Sequence, residues 1–355
     1  MKLKEKERLL PFSHKAGNSV LLPQSKRKIE IFPTLIKIDD LYVYLNIKGP
    51  VKDFTISLDL KKGMIIVSAF IKEGYMRYSL QKKNDTINIH LQKYPHNIPL
   101  LFTYNQTTHK IEVGSSLEIL DTPSLSAAEK AYSSLEQLCL GNHKQQNWEE
   151  IRKRESLEEI IPLWLKAASW FSEIKEWPLV GNLVLLQAFK EACLSNNRLL
   201  ITQSIKNLFR ATFKGILFPE LSDNEYLGLS PVYEEKSCPF PLLLESAHLL
   251  RSLFFQEREK SYHFLPKLLP DLVCGRYLNI VNKQNDLLNF SWSKGRLREL
   301  SIQYQTTHHK TPIFDKNLKR CRLKQHKRDK GLIVNLPLTE DLIQSKELYL
   351  DNFEA

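Results

Sequence analysis

Several features that mark large classes of protein are missing from this sequence of 355 residues. No stretch comes near the ~18 uninterrupted apolar residues of a membrane-spanning helix, so no span is expected. The charged start from Met1 to Arg8 is followed by no apolar core, unlike a secretory signal peptide. We therefore expect a cytoplasmic protein, although export by a signal-independent route would leave no such pattern.

Cysteine is scarce, with five residues and no CxxC pair. An odd number of separated cysteines is typical of reduced thiols in a cytosol and argues against a disulfide framework. Structural zinc needs clustered ligands, which the spacing does not offer. The sequence also has no GxGxxG, GxxxxGK[ST], GxSxG or HExxH motif, which argues against nucleotide-binding, esterase and zincin classes. We expect neither a metal nor another cofactor.

The composition is that of a core-forming globular protein, with 42% hydrophobic and 26% charged residues. The length allows two or three domains. Lys and Arg total 51 against 40 Asp and Glu, and the resulting net charge of +11 permits an anionic partner. Because the lysines are spread along the whole chain, we favour an ordinary solvated surface as the explanation of this charge.

Residues 28–120 show a period of two, which predicts an antiparallel β-sandwich. Apolar residues alternate with other side chains in short runs that turn-forming residues separate. The alternating residues are Leu41, Val43, Leu45 and Ile47; Phe54, Ile56, Leu58 and Leu60; Ile87, Ile89 and Leu91; and Leu100, Phe102 and Tyr104. Polar residues on the other face are typical of a sheet with one buried side.

Helical periodicity replaces the strand alternation after a linker-like segment at 121–124. Asn147 is expected to cap a helix, and Ser156 with Glu159 has the spacing of a capping box. Pro162 falls inside the helix that follows and predicts a kink or a break. Further helices are expected through Leu135 and Leu138, and at about 182–194, 197–214 and 241–257.

Strand alternation returns after residue 260. Leu288, Phe290 and Trp292 alternate up to a Lys294-Gly295 turn, which predicts a hairpin. The predicted fold class is therefore α+β. The expected organisation is a basic irregular segment (1–27), an N-terminal antiparallel β-sandwich domain (28–122), a helical-hairpin domain (123–258) and a small C-terminal β-domain (259–355).

Three elements in the last third of the chain carry a resemblance to a known family. A predicted helix leads into Tyr-His-Phe-Leu-Pro-Lys-Leu-Leu-Pro at 262–270, Cys-Gly-Arg-Tyr-Leu follows at 274–278, and Leu-Asn-Phe-Ser-Trp-Ser-Lys-Gly-Arg-Leu follows at 288–297. The first and last runs are similar to the "LLPALP" and "FEVDLEWKDGKL" elements of the inverting α-L-fucosidase family, glycosidases with a six-hairpin (α/α)6 barrel. The resemblance covers about a fifth of the chain and implies a glycoside-hydrolase-like protein.

Two departures from that family change what the resemblance implies. A closed barrel of six hairpins needs twelve helices, whereas the 111 residues of 146–256 have room for about six or seven. The family's carboxylate before the last helix falls near Pro241, which cannot transfer a proton. We therefore expect an incomplete α/α barrel that binds a glycan in the groove between the helices and the sandwich, with hydrolysis reduced or absent.

Inverting glycoside hydrolysis needs two carboxyl groups roughly 6.5–9.5 Å apart, one of them protonated. Glu245 and Glu225 are the catalytic candidates. Glu245 lies in an apolar run, where burial would raise its pKa, although a structural pair with Arg251 is the commoner arrangement. His248 shares a helix face with Glu245 and is a substrate-binding candidate. Glu-x-x-His also suits a di-iron site, but the sequence has no second copy.

Aromatic and polar residues in the helical region are candidates for sugar binding. Flat aromatic faces suit a half-polar ligand, and Trp164 and Trp170 belong to a group of four tryptophans within thirty residues. Core packing is the alternative for at least two of the four. The polar loop at 141–148 adds His143 and Asn147, which either face a ligand or cap the next helix.

A basic run between residues 319 and 330 contains seven Lys or Arg in twelve positions. Such a run can contact an acidic protein, nucleic acid or a membrane surface. No aromatic residue is interleaved, so a solvated hairpin rim is the favoured alternative. The predicted anion-binding residues are Lys319, Arg320, Arg322, Lys324, Lys327 and Arg328.

Two functional hypotheses follow. The first is a glycan-binding, glycosidase-like protein, and the second is a non-enzymatic interaction protein that uses the basic surface for an anionic macromolecule. An open helical array would also admit completion by a second subunit in a homo-oligomer. Charge-driven binding should weaken steeply with salt, whereas glycan binding should survive moderate salt.

Overall fold

The computed structural model describes residues 1–6, 18–95, 99–120, 135–141, 145–171, 181–213, 215–222, 238–306, 309–343 and 346–354. The strands of the first part are β1 (Lys2–Lys6), β2 (Asn18–Val20), β3 (Ile29–Ile31), β4 (Leu35–Ile38), β5 (Leu41–Leu45), β6 (Lys52–Asp59), β7 (Met64–Ile71), β8 (Gly74–Lys83), β9 (Thr86–Lys93), β10 (Leu100–Tyr104), β11 (Thr107–Ile111), β12 (Ser116–Leu120), β13 (Gln137–Cys139) and β14 (Gln145–Asn147).

Two sheets built from these strands face each other. One has the order β12-β9-β8-β7-β6-β1-β14 and the other β11-β10-β5-β4-β3-β2. Val43 and Leu45 of β5 are buried while Tyr42 and Tyr44 are exposed, as the two-residue period requires. Side chains from the two sheets meet between them: Tyr78 of β8 packs edge-to-face on Phe102 of β10, with ring centroids 6.5 Å apart.

The first 27 residues contribute to both sheets. β1 pairs antiparallel with β6 from Lys2 opposite Asp59 to Lys6 opposite Thr55, and β2 pairs with β3. Leu3 and Val20 are completely buried, so these short strands supply apolar side chains to the core. The sequence predicts an irregular segment over residues 1–27. Within its described residues, 1–6 and 18–27, the segment is more ordered than that, because it forms β1 and β2.

Helices occupy the middle of the chain: α1 (Trp148–Arg154), α2 (Leu157–Ala168), α3 (Leu183–Ser195), α4 (Arg198–Thr212) and α5 (Phe240–Phe254). Asn147 caps α1 as predicted, because its side chain accepts from the Glu150 amide. α3 ends at Asn196 in the left-handed region, and Asn197 caps α4 by accepting from two backbone amides. This two-residue connection makes α3 and α4 an adjacent hairpin.

Strands return after α5 and complete the chain with a short helix. They are β15 (Phe255–Glu257), β16 (Ser261–Phe264), β17 (Gly275–Val281), β18 (Leu287–Ser293), β19 (Arg296–Gln303), β20 (Thr311–Ile313), β21 (Arg320–Lys324), β22 (Leu332–Asn335), helix α6 (Glu340–Ile343) and β23 (Glu347–Glu354). One sheet has the order β13-β17-β18-β19-β23-β21-β22, and a smaller one the order β15-β16-β20. Leu288, Phe290 and Trp292 of β18 are buried, as their alternation predicts.

The predicted α+β class is confirmed, with antiparallel pairing dominant in the sheets. Apolar side chains from the two facing sheets, the helices and the C-terminal strands join one continuous core. In the described part of the chain, none of the helices combines the length and the apolar character needed to cross a bilayer. All five cysteines lie in that part, and each is a free thiol.

Candidate functional site

A cleft of about 690 Å³ opens where the first facing sheets, the helices and the C-terminal sheet meet. We call it the junction cleft. Each of these parts contributes to its wall, and the segment 135–141 that contains β13 contributes most. The lining residues are Met1 and Lys61; Leu135, Glu136, Gln137, Leu138, Cys139, Leu140 and Gly141; Glu158, Pro162, Leu165, Lys166, Ser169 and Trp170; and Tyr277 and Asn279.

Helical spacing brings the α2 residues to the cleft. The helix contributes Glu158, Pro162, Leu165 and Lys166, and Ser169 follows directly after its end. Consecutive members of this set lie one, three or four positions apart, so they form one stripe. The opposite stripe of α2 is buried in the core. Pro162 does not break the helix, which continues to Ala168.

An ion pair between distant parts of the chain lies beside the cleft. Arg251 of α5 donates from Nε to Glu136 Oε1 over 2.8 Å and from Nη2 to Oε2 over 3.4 Å. The Tyr277 hydroxyl donates to the same Glu136 Oε1. Both charged side chains are largely buried, so the pair fixes the start of β13 against α5 and β17. A carboxylate held by these charged and hydroxyl donors is suited to positioning the segments around it.

Trp170 forms the side of the cleft that borders the first sheets. Its indole N–H donates to the Leu60 carbonyl over 2.8 Å, and its ring lies against the turn at Gly63. Gly63 has φ +66°, and a Cβ there would come within 2.9 Å of Trp170 Cη2. The turn therefore needs glycine both for its backbone conformation and for the close approach of the ring.

The charges in the cleft include two lysines. Lys166 is partly buried, and the loss of hydration lowers its pKa while the nearby Glu136 opposes that shift. Lys61 adds a second positive charge and contributes to lowering the Lys166 pKa. Because Arg251 neutralises Glu136, Glu158 is the remaining carboxylate of the lining. The cleft thus combines aromatic surface, amide groups and ammonium groups.

The structure places Trp164 outside the cleft. Its side chain is 1% exposed, its indole N–H donates to the Leu243 carbonyl over 3.2 Å, and its ring packs edge-to-face on Phe213 at 4.7 Å. Core packing, the alternative left open by the sequence, describes this residue. Of the two tryptophans predicted to bind sugar, Trp170 reaches the cleft and Trp164 does not.

The acid and histidine candidates lie on or near α5. Glu245 and His248 are half-buried on one face of that helix, and neither lines the junction cleft. Arg251, the expected partner of Glu245, makes its bidentate contact with Glu136. Pro241 is buried in the first turn of α5. The predicted residues Glu225 and His143 lie outside the described ranges.

Asn147 is used by the backbone. It is exposed, and its Oδ1 accepts from the Glu150 amide at 3.3 Å. This matches the capping alternative for that residue, and Asn147 is not part of the cleft lining.

The basic run divides into two groups. Arg320 pairs with Glu354, and both Arg322 and Lys324 pair with Asp351 across β21 and β23. Burial alone would raise the pKa of Asp351, but hydrogen bonds from these two cations outweigh it and lower the pKa. The second group, Lys319, Lys327 and Arg328, is exposed on either side of β21.

Sequence reasoning missed Glu136 and Lys166, which stand in unremarkable local patterns. It also missed a second buried carboxylate, Asp286, which accepts from the Tyr262 hydroxyl at 2.5 Å and from the Gln305 amide at 2.8 Å. Asp286 is completely buried, and it joins the turn between β17 and β18 to β16 and the end of β19. Its role follows from these bonds and is structural.

Within the described ranges, no group of three or more His, Cys, Asp or Glu side chains is arranged to hold a metal ion. The sequence matches no protein-family model and no curated protein.

Proposed function

We propose that the protein binds a carbohydrate in the junction cleft and that hydrolysis is reduced or absent. The observation that carries the proposal is the position of Trp170, which borders a cleft of about 690 Å³ at the meeting of sheet and helices. This volume is within the usual range for small-ligand sites, about 300–1,000 Å³. An aromatic face beside amide and charged groups suits a ring with one apolar face and many hydroxyls.

The arrangement of the helices supports the idea of an incomplete α/α array. The α3–α4 hairpin packs beside α5, and α5 packs beside α2. The residues of this layer that face the cleft come from α2 and the two residues after it, which leaves one side open towards the first sheets. A six-hairpin ancestor that lost helices would retain such an open groove, and we propose the relationship on that basis.

The described carboxyl groups support binding more than turnover. Glu136 is fixed by Arg251 and Tyr277, and Glu245 does not line the cleft. An inverting mechanism needs a protonated acid and a separate base on either side of the sugar. A cytoplasmic location and a homo-oligomer stay predictions.

An array of immobilised oligosaccharides that includes fucosylated glycans tests the proposal. We expect the wild-type protein to bind a subset of them in moderate salt and Trp170→Ala to lose that binding. Tyr44→Ala is the matched control, because Tyr44 is an exposed aromatic residue on the other sheet. Failure to retain any glycan, or binding by Trp170→Ala equal to that of the wild type, would contradict the proposal.

Hydrolysis is tested separately with the same glycans in solution. Glu245→Gln should behave like the wild type if turnover is absent. Release of sugar by the wild type that disappears in Glu245→Gln would instead identify an active glycosidase.

A further inference from the structure

The β22 strand is an open edge that carries exposed apolar side chains. It is the last strand of its sheet in the described part of the chain and pairs with β21 on one side. Leu332 is 74% exposed and Ile333 is 66% exposed, although both are large aliphatic residues. Native sheets usually protect such an edge with charge, proline or a covering segment, because it readily accepts another strand.

The pairing shows which backbone groups face outwards. The Leu336 amide donates to the Lys319 carbonyl over 2.7 Å, in register with the pairs Cys321–Val334 and Leu323–Leu332. Backbone direction alternates along an antiparallel strand, so Ile333 and Asn335 direct their N–H and C=O groups towards the open edge. An extended segment laid beside β22 would meet these donors and acceptors.

Positive charge flanks this edge at both ends. Lys327, Arg328 and Lys330 lie on the connection that enters β22, and all three are exposed. Lys319 lies opposite Leu336, just beyond the other end. Within the connection, Asp329 Oδ2 accepts from the His326 amide, which holds the turn together. The paired cations Arg320, Arg322 and Lys324 share the two carboxylates of Glu354 and Asp351, so the flanking group supplies most of the positive charge of the surface.

We infer that β22 binds an extended acidic peptide by strand addition, with acidic residues at the ends of the peptide and β-branched or apolar residues at its centre. The backbone edge supplies hydrogen bonds, Leu332 and Ile333 contact apolar side chains on opposite faces, and the flanking cations attract the acidic ends. This interaction surface is separate from the junction cleft and goes beyond the proposed carbohydrate binding.

Other occupants fit the same edge less well. Two copies of β22 paired antiparallel would bring Lys330 of each copy towards Lys319 of the other, and opposed like charges destabilise such pairs. A bilayer would take up only one face, whereas Leu332 and Ile333 are consecutive and point to opposite faces. Single-stranded nucleic acid is usually held by aromatic stacking, and residues 319–335 contain no Phe, Tyr or Trp.

Fluorescence anisotropy with a labelled probe peptide tests the inference on the full chain. The probe has Val-Thr-Val flanked by two Glu or Asp residues on each side. Lys327→Glu with Arg328→Glu should weaken its binding by at least about tenfold. Lys48→Glu with Lys83→Glu is the control, since it makes the same change in net charge at exposed lysines elsewhere and should leave affinity within about twofold.

Ile333→Pro separates strand addition from simple charge attraction. The proline removes an N–H that faces the open edge while the pairing with β21 is kept, so probe binding should also fall by at least about tenfold. If circular dichroism shows that this variant has lost its fold, Leu332→Ser with Ile333→Ser replaces it and should weaken binding at least about fivefold. Trp170→Ala should leave probe binding unchanged, which keeps this result independent of the cleft.

Three outcomes would overturn the inference. The first is that the wild type does not bind the probe peptide. The second is that a folded Ile333→Pro variant, or the serine double variant that replaces it, binds the peptide as tightly as the wild type. The third is that Trp170→Ala abolishes binding of the peptide. An oligouridine and vesicles containing phosphatidylserine form the remaining arms. Binding of either without binding of the peptide would replace the peptide with that class of partner.

Discussion

Glu136 and Arg251 are 115 positions apart in the sequence, yet Arg251 Nε donates to Glu136 Oε1 over 2.8 Å in a largely buried ion pair. The pair ties the short strand β13 to helix α5 at the side of the junction cleft. Because Tyr277 donates to the same carboxylate, three separate parts of the chain meet at one oxygen. The shape of the cleft therefore depends on this contact.

Replacing Glu136 with Ala should lower stability strongly. The change removes the carboxylate that accepts from the Arg251 guanidinium, whose side chain is only 17% exposed, and breaking a buried ion pair on one side costs about 3–5 kcal/mol. Chemical denaturation followed by circular dichroism measures the change. Glu354→Ala is the matched control, because its pair with Arg320 is mostly exposed and is worth about 1 kcal/mol or less. Equal effects of the two variants would show that the buried pair does not hold the cleft.

Trp164→Ala should destabilise the protein by about 3–5 kcal/mol, since it empties a large fully buried site and removes the hydrogen bond to the Leu243 carbonyl. Trp170→Ala should cost less, because that side chain is only partly buried. Urea midpoints of the two variants provide the comparison. A small shift of the urea midpoint for a Trp164→Ala variant that still folds would show that the Trp164 ring is not part of the core.

Local patterns predicted much of the fold. The alternation of Leu288, Phe290 and Trp292 identified β18 because each side chain's face follows from its own strand. The helices expected at 182–194 and 197–214 appear as α3 and α4 because helical periodicity is a local signal. These predictions needed no knowledge of distant residues.

Predictions that depended on competing partners were wrong. Leu138 was assigned to a helix, but 137–139 form β13, because this segment pairs with β17 far along the chain. Glu159 was assigned to a capping box with Ser156, whose side chain makes no capping bond. The Glu159 carboxylate instead accepts two hydrogen bonds from Arg154, at 3.0 and 2.8 Å. A charged donor outcompetes a backbone amide for a carboxylate.

The candidate site was predictable only in part for the same reason. The sequence indicated a groove between helices and sheet and named Trp170 among its residues. It gave no signal for Glu136 or Lys166, because a cleft lining is set by contacts between segments that are over a hundred residues apart. Likewise, Trp164 and Trp170 are the same residue type in nearby positions of the sequence. They differ only in which side of their segment faces the core.

Gly63→Ala should perturb Trp170 and the cleft beyond the ordinary cost of its backbone conformation. A residue with a side chain in the left-handed region costs about 1–2 kcal/mol. Gly295→Ala measures that cost alone, because Gly295 has φ +69° and nothing within 4 Å of its added Cβ. At Gly63 the added Cβ meets Trp170 Cη2 at 2.9 Å, so Gly63→Ala should be the more destabilising of the two.

A double-mutant cycle tests the cause of that excess. When Trp170 is already replaced by Leu, Gly63→Ala should cost no more than Gly295→Ala, because the colliding ring is gone. An excess that persists without Trp170 would place the strain elsewhere in the turn.

Acid should weaken the contact between α1 and α4. Glu155, at the end of α1, accepts from Arg210 Nε at 2.7 Å and Nη2 at 2.6 Å, and this hydrogen bonding lowers the pKa of Glu155 below its usual 4.5. A carboxylate with a lowered pKa stabilises the folded state fully above about pH 4.5, and the contribution is lost as the pH falls through the lowered value.

Glu155→Gln should therefore lower the melting temperature slightly at neutral pH, by an amount that corresponds to about 1 kcal/mol or less. The difference from the wild type should shrink as the pH falls from about 7 to 3. Arg210→Gln should give the same pH profile, since either change removes the pair. A difference between wild type and Glu155→Gln that stays constant over this range would show that ionisation of Glu155 does not contribute to the packing of α1 on α4.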